Sequence, residues 1–133
     1  MQVYLFGSRI TVSPSQALGK GGEADVYQLS DDVALKLFKG PDHPDFENLP
    51  DQSRAAEERL KEHQDKLKSF PRNLPANVIT PIELAMDKNG YVLGYTMPLV
   101  KSAVPLMRFS DRKFRQSGVS SNQTVMIFRE LWQ

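Results

Sequence analysis

Hydrophobic and polar positions alternate in short runs over the first third of the chain, with turn residues between the runs. Residues 2–6 (QVYLF) and 9–12 (RITV) predict two short strands about Gly7-Ser8. Ser13-Pro14-Ser15 breaks the pattern. Residues 16–18 then open a strand that runs into a glycine cluster at Gly19, Gly21 and Gly22, and residues 25–29 (DVYQL) return from it. Ser30-Asp31-Asp32 is a turn. Residues 33–38 (VALKLF) are the clearest strand, with Val33, Leu35 and Leu37 on one side and Ala34 and Lys36 on the other.

Beyond this strand the period changes. Residues 39–50 hold Pro41, Pro44 and Pro50 and predict a loop. Residues 52–69 are rich in strong helix formers and predict a helix capped by Asp51 or Ser53. Its apolar stripe is narrow, comprising Ala56, Leu60 and Leu67 with His63 between, and Glu57–Lys61 and Glu62–Lys66 have the favourable i,i+4 order. Residues 70–77 read as loop, residues 78–86 as an extended segment, Asp87-Lys88-Asn89-Gly90 as a hairpin turn, and residues 91–97 as the returning strand. A non-helical connector follows over residues 98–105. Residues 108–115 (RFSDRKFR) read as a solvated loop, and Ser120 or Asn122 caps a last helix carrying Val125, Phe128 and Trp132 on one face. This order predicts an α+β fold, with an antiparallel sheet of about five strands, one covering helix, an N-terminal hairpin and a C-terminal helix.

Composition narrows the function classes. The chain has 133 residues, 40% hydrophobic and 25% charged, with a net charge of +1. That is an ordinary globular composition without the basic field of a nucleic-acid partner. The longest weakly polar run, residues 91–100, is far shorter than the roughly 20 residues of a membrane helix. The N-terminus lacks the charged start and apolar stretch of a secretory signal. There is no cysteine, so disulfides and thiolate metal sites are excluded, and a cytoplasmic location is expected. Neither His43 nor His63 has a second ligand at metal spacing, so no metal site is expected.

The glycine cluster changes the picture. In Leu18-Gly19-Lys20-Gly21-Gly22-Glu23-Ala24-Asp25-Val26, glycines lie between two strands, where backbone N–H groups can approach phosphates unobstructed. The spacing is not that of a P-loop, and a strand rather than a helix follows, so it is not a Rossmann fingerprint. Lys36 then sits in the middle of an apolar strand, where its charge needs compensation. Gly19-x-Gly21-x-x-Ala24-x-Val26 followed by Val33-Ala34-Leu35-Lys36 resembles the opening of the eukaryotic-type protein-kinase fold, with Ala24 in place of the third glycine and Leu35 in place of isoleucine. More loosely, the GGEADVY and GYTMPLV stretches resemble a bacterial kinase-like branch.

The resemblance implies a kinase small lobe over residues 1–100, and over residues 101–133 a connector and helix leading to a second lobe. It implies ATP with Mg2+ as cofactor, with the main metal ligands in that second lobe. Gly19, Gly21, Gly22 and Ala24 would cover the phosphates, and Lys36 would hold the α- and β-phosphates. Lys36 would also pair with a helix glutamate, Glu62 being favoured over Glu58 by its distance to the next strand. Leu18, Val26, Ala34, Met97 and Leu99 would enclose adenine. Met97 would be the gatekeeper, with the Pro98 carbonyl and the Val100 N–H as hinge groups.

Neither H-R-D-x-x-x-x-N nor D-F-G occurs in the sequence. The chain alone is therefore expected to be inactive, as part of a longer Ser/Thr protein kinase acting on a protein substrate. The alternative is a non-catalytic pseudokinase or protein-interaction domain. An uncovered lobe face at Val125, Phe128 and Trp132 makes a homodimer one expected outcome.

Overall fold

The computed structural model describes residues 1–118 and 120–132; the side chains of residues 121, 124, 128 and 130–132 lie outside that description. The chain forms two compact units, Met1–Leu99 and Val100–Gln133.

The first unit is α+β and holds one antiparallel sheet. Its strands are β1 (Gln2–Leu5), β2 (Ser8–Thr11), β3 (Ala17–Lys20), β4 (Ala24–Gln28), β5 (Val33–Phe38), β6 (Glu83–Met86) and β7 (Val92–Pro98), in the order β2-β1-β6-β7-β5-β4-β3. The sheet thus has seven strands, not the five or so expected. The N-terminal hairpin is not an appendage. Tyr4 pairs with Met86, which joins β1 to β6 and makes the sheet continuous. The extended segment expected over residues 78–86 is a strand only from Glu83, because Pro81 interrupts the ladder before it.

Local sequence explains the turns. Phe6 and Gly7 both have positive φ, 50° and 75°, giving the two-residue loop whose twist suits a hairpin. In the Asp87–Gly90 turn, one Asp87 carboxylate oxygen accepts from the N–H groups of Asn89 and Tyr91. Gly94 is required by packing, since a Cβ there would lie 1.9 Å from the Lys36 carbonyl oxygen on β5.

Val3, Leu5, Val12, Leu35, Leu37 and Ala85 form the main buried cluster, with Tyr27 and Leu29 against it. Two strands separate β1 from β5, so this shared cluster requires the sheet to curl around it. Leu35 is fully buried, a burial that contributes about 1.5–3 kcal/mol.

The helix α1 (Pro50–Lys68) lies against the other face. It starts earlier than expected, with Pro50 at its first position and neither expected cap in use. Ser53 instead donates to the Pro41 carbonyl at 2.8 Å and ties the helix to the preceding loop. Ala56, Leu60 and Leu67 are buried as the stripe predicted. Gln64 adds a polar anchor. Its side chain accepts from the Val92 N–H at 2.8 Å and donates to the Val92 carbonyl at 2.9 Å, satisfying both backbone groups where β7 begins.

In the second unit, the segment expected as a loop at residues 108–115 contains a helix. Asp111 caps α2 (Arg112–Gln116) by accepting from Lys113 and Phe114, and Phe109 packs edge-on against Phe114 at 5.4 Å. The helix α3 spans Ser121–Trp132. Ser120 and Gln123 exchange side-chain to backbone hydrogen bonds at its start, so Ser120 is the cap. Val125 is exposed; the expected apolar partners Phe128 and Trp132 have side chains outside the described residues.

Candidate functional site

Register places the candidate residues. Cross-strand partners in an antiparallel sheet project to the same face. Val26 on β4 and Tyr95 on β7 both pair with Lys36 on β5, Ala34 pairs with Met97, and Ala24 pairs with Phe38. One face of three adjacent strands therefore carries Ala24, Val26, Ala34, Lys36, Tyr95 and Met97. Ala34 is almost fully buried. Gly19 pairs with Val26 on the next strand, while Leu18 is half exposed. Leu99 donates its N–H to the Asp32 carbonyl at 2.8 Å, and Pro98 closes the ladder opposite Val33. Val100 belongs to the second unit.

The Lys36 ammonium lies 5.7 Å from the Phe38 ring centre and 6.0 Å from that of Tyr95. Aromatic faces provide partial compensation for its charge. The expected carboxylate partner is not there. Glu62 accepts from Lys66 at 2.9 Å in an exposed i,i+4 pair, and Glu57 pairs likewise with Lys61 at 3.0 Å. Among the described residues Lys36 makes no ion pair. The reason is helix phase: α1 turns His63 and Arg59 towards the sheet, and Glu58 and Glu62 away from it. His63 stacks on Phe38 with ring centres 4.2 Å apart. Burial holds its imidazole below the ordinary pKa, aided by the charges of Lys66, Arg59 and Lys36.

The glycine hairpin is fixed at both ends. Gly21 donates to the Ala24 carbonyl at 2.9 Å, and a Cβ on Gly21 would come within 2.9 Å of that same oxygen. Gly22 and Gly19 face open space. At the base, the Lys39 N–H donates to the Glu23 carbonyl at 2.9 Å, and its ammonium donates to the Gly21 carbonyl at 2.6 Å. That ammonium also binds Asp45 directly and lies 3.6 Å from Asp25. Lys39 is 4% exposed and Asp25 7%, so these two charges are buried, while Asp45 reaches Lys39 from a largely exposed position. His43 joins them, with Nε2 3.7 Å from Asp25 and Nδ1 accepting from the Asp45 N–H. The hydrogen bond with Lys39 pulls the Asp45 pKa down, and the bond with Asp45 raises that of Lys39. At the tip, Glu23 bonds Arg59 of α1 at 3.1 Å.

Lys39, Asp25, Asp45 and Arg59 were not singled out from sequence. A signal was available for two of them. Asp25 falls on the inward parity of Tyr27, and Lys39 on that of Leu35 and Leu37. A charge on the inward side of a strand needs a buried counter-charge. Asp45 and Arg59 come from a loop and a helix, and only the tertiary fold brings them in.

A cleft of 780 Å³ opens beside the β1–β2 turn, with Tyr4, Phe6, Phe70, Ile82 and Leu84 among its walls. It contains no residue of the predicted nucleotide site. Among the described residues no group of three or more His, Asp or Glu is placed to hold a metal ion, and no helix is long and apolar enough to cross a membrane. Comparison with models of known protein families gives no match, and neither does comparison with curated proteins or with solved structures.

Proposed function

We propose that the Met1–Leu99 unit binds ATP and acts as the phosphate-clamping part of a protein-kinase-like phosphotransferase directed at protein Ser/Thr. The observation that carries the reading is the placement of Lys36. It lies midway along an interior strand, shares a face with Val26, Ala34 and Met97, pairs with Val26 on a strand of the glycine hairpin, and makes no ion pair among the described residues. An ammonium so placed favours an anion, and the small and apolar neighbours favour a flat base. In this reading the hairpin covers the phosphates, Lys36 contacts the α- and β-phosphates, and the Pro98 carbonyl accepts from the adenine amino group. Such a site contributes positioning and electrostatic stabilisation. Its own residues offer no metal site, so Mg2+ would arrive with the nucleotide, held by phosphate oxygens. The sheet has seven strands where the order of elements predicted about five, so the reading rests on the Lys36 site and not on the architecture.

A second reading is a non-catalytic nucleotide-binding or protein-interaction module. It is favoured by Glu62 being engaged with Lys66 and not with Lys36. Titrating ATP–Mg while following the amide signals of Gly19, Gly21, Lys36 and Met97 tests the nucleotide site common to both. Shifts at these positions that weaken in Lys36→Ala are expected. Unchanged spectra at millimolar ATP would sink the nucleotide reading and leave only the interaction module.

A further inference from the structure

We infer that Arg59 is a second phosphate-binding residue of this site and that the Glu23 carboxylate stands in for the phosphate when no ligand is bound. The inference rests on the nucleotide reading for its ligand, a nucleotide polyphosphate. It rests on three separate observations for its geometry. First, the Arg59 side chain is only 22% exposed, and its Nη1 is buried without a hydrogen-bond partner. A buried guanidinium nitrogen without an acceptor is costly, and an incoming oxyanion would satisfy it. Second, among the described residues Arg59 makes one ion pair, with Glu23, through a single contact from Nη2 to Oε1 at 3.1 Å. The planar fork of an arginine can hold a phosphate through two parallel N–H bonds, so half of its capacity is unused. Third, Glu23 is the acidic residue at the tip of the very hairpin whose backbone would cover the phosphates, and its side chain is 68% exposed. It can swing into solvent at little cost, exposed ion pairs being weak.

Lys36 completes the site. Lys36 lies 5.7 Å from the centre of the Phe38 ring on which His63 stacks, and Arg59 precedes His63 by one helical turn, so both cations flank the same contact between sheet and helix. No α1 carboxylate intervenes, since Glu62 is turned to Lys66. The resulting pair of cations, with Glu23 as a removable counter-ion, fits an anion of two or more negative charges. Binding would exchange one carboxylate for a polyphosphate and free the hairpin tip to close over it.

The test is a titration of ATP, inorganic tripolyphosphate and adenosine into the chain and into Arg59→Gln, Arg59→Lys, Glu23→Gln, the Glu23→Gln/Arg59→Gln double variant and Lys36→Ala, each first checked for folding by circular dichroism. Arg59→Gln should weaken ATP and tripolyphosphate by about tenfold or more and leave adenosine unchanged, and Arg59→Lys should lose less. Glu23→Gln should tighten both anions, and that gain should vanish in the double variant. ATP binding that needs Lys36 but ignores Arg59 and Glu23 would overturn the inference while the nucleotide reading stands. Glu23→Gln weakening binding as much as Arg59→Gln would also overturn it, because the pair would then only shape the hairpin. Arg59-dependent tripolyphosphate binding with ATP no tighter and adenosine unbound would keep the anion site and remove the nucleotide. Absence of binding by every anion would remove both.

Discussion

Replacing Lys39 with methionine should destabilise the first unit by about 3–5 kcal/mol, the cost typical of removing one partner from a buried ion pair. The size follows from what is left behind. Asp25 is 7% exposed, and one of its carboxylate oxygens has no hydrogen bond at all, so the nearby Lys39 charge is its main compensation. His43 lies at 3.7 Å and compensates only when protonated. The Gly21 carbonyl also loses a 2.6 Å bond from an ammonium. Methionine keeps most of the volume, so packing changes little and the electrostatic loss is isolated. Urea unfolding followed by far-UV circular dichroism, with amide signals of β4 and β5 to report on this unit alone, gives the free energy. The control is the double variant Lys39→Met/Asp25→Asn, which removes the stranded charge and should recover most of the loss. A cost below about 1 kcal/mol for Lys39→Met, or no recovery in the double variant, would refute the account of Lys39 as the compensating charge.

Two further outcomes follow from the helix–sheet interface. Gln64→Ala leaves the Val92 N–H and carbonyl without partners at a fully buried residue, and should cost about 1–3 kcal/mol in the same unfolding assay, whereas Gln64→Glu, which retains an acceptor for the N–H, should cost less. Because burial lowers the His63 pKa in the folded state, the unfolded chain binds the proton first as pH falls; stability should therefore decline as pH drops below about 6.5 towards the folded-state value, and His63→Phe should flatten that decline, with the imidazole titration read directly by NMR.

Much of the strand framework was readable from hydrophobic period. The β5 strand was read at its observed limits because it is a short, almost wholly apolar run with turn residues just before it and prolines and glycine after it. The i,i+4 pairs on α1 were legible for the same reason, being local. What was not legible is non-local. Nothing in residues 1–12 says that Tyr4 will pair with Met86, so the hairpin read as separate and the sheet as smaller than it is. The start of α1 was misread because Pro50 was counted as a loop residue, though proline is well suited to a helix's first position. The choice of Glu62 as the partner of Lys36 relied on distance along the chain. One residue, from Glu62 to His63, turns about 100° around the helix, so spacing alone could not fix which side chain meets the strand. Of the residues that do meet it, His63 was read between the stripe's apolar residues and Arg59 was not singled out, because a narrow apolar stripe gives little warning of what flanks it.

The glycine hairpin is held by two tethers of unequal strength, and the difference bears on function. At the base, Lys39 is buried and makes contacts with Gly21, Asp25 and Asp45, so opening it strands charges in a poorly solvated place. At the tip, Glu23 and Arg59 meet through one contact with the carboxylate largely in water. Exposed pairs of that kind are worth about 0–1 kcal/mol. Any ligand that gains more than this from Arg59 will displace Glu23, and none that size can afford to displace Lys39. Motion of the hairpin is therefore confined to the tip, hinging about a base that stays closed. Backbone motion measured by relaxation should separate the two: Gly22 mobile, and Gly21, Glu23 and Ala24 rigid, the Glu23 carbonyl being held by the Lys39 N–H. Equal mobility across all four would mean that Lys39 does not hold the base, and the distinction between tethers would fall with it.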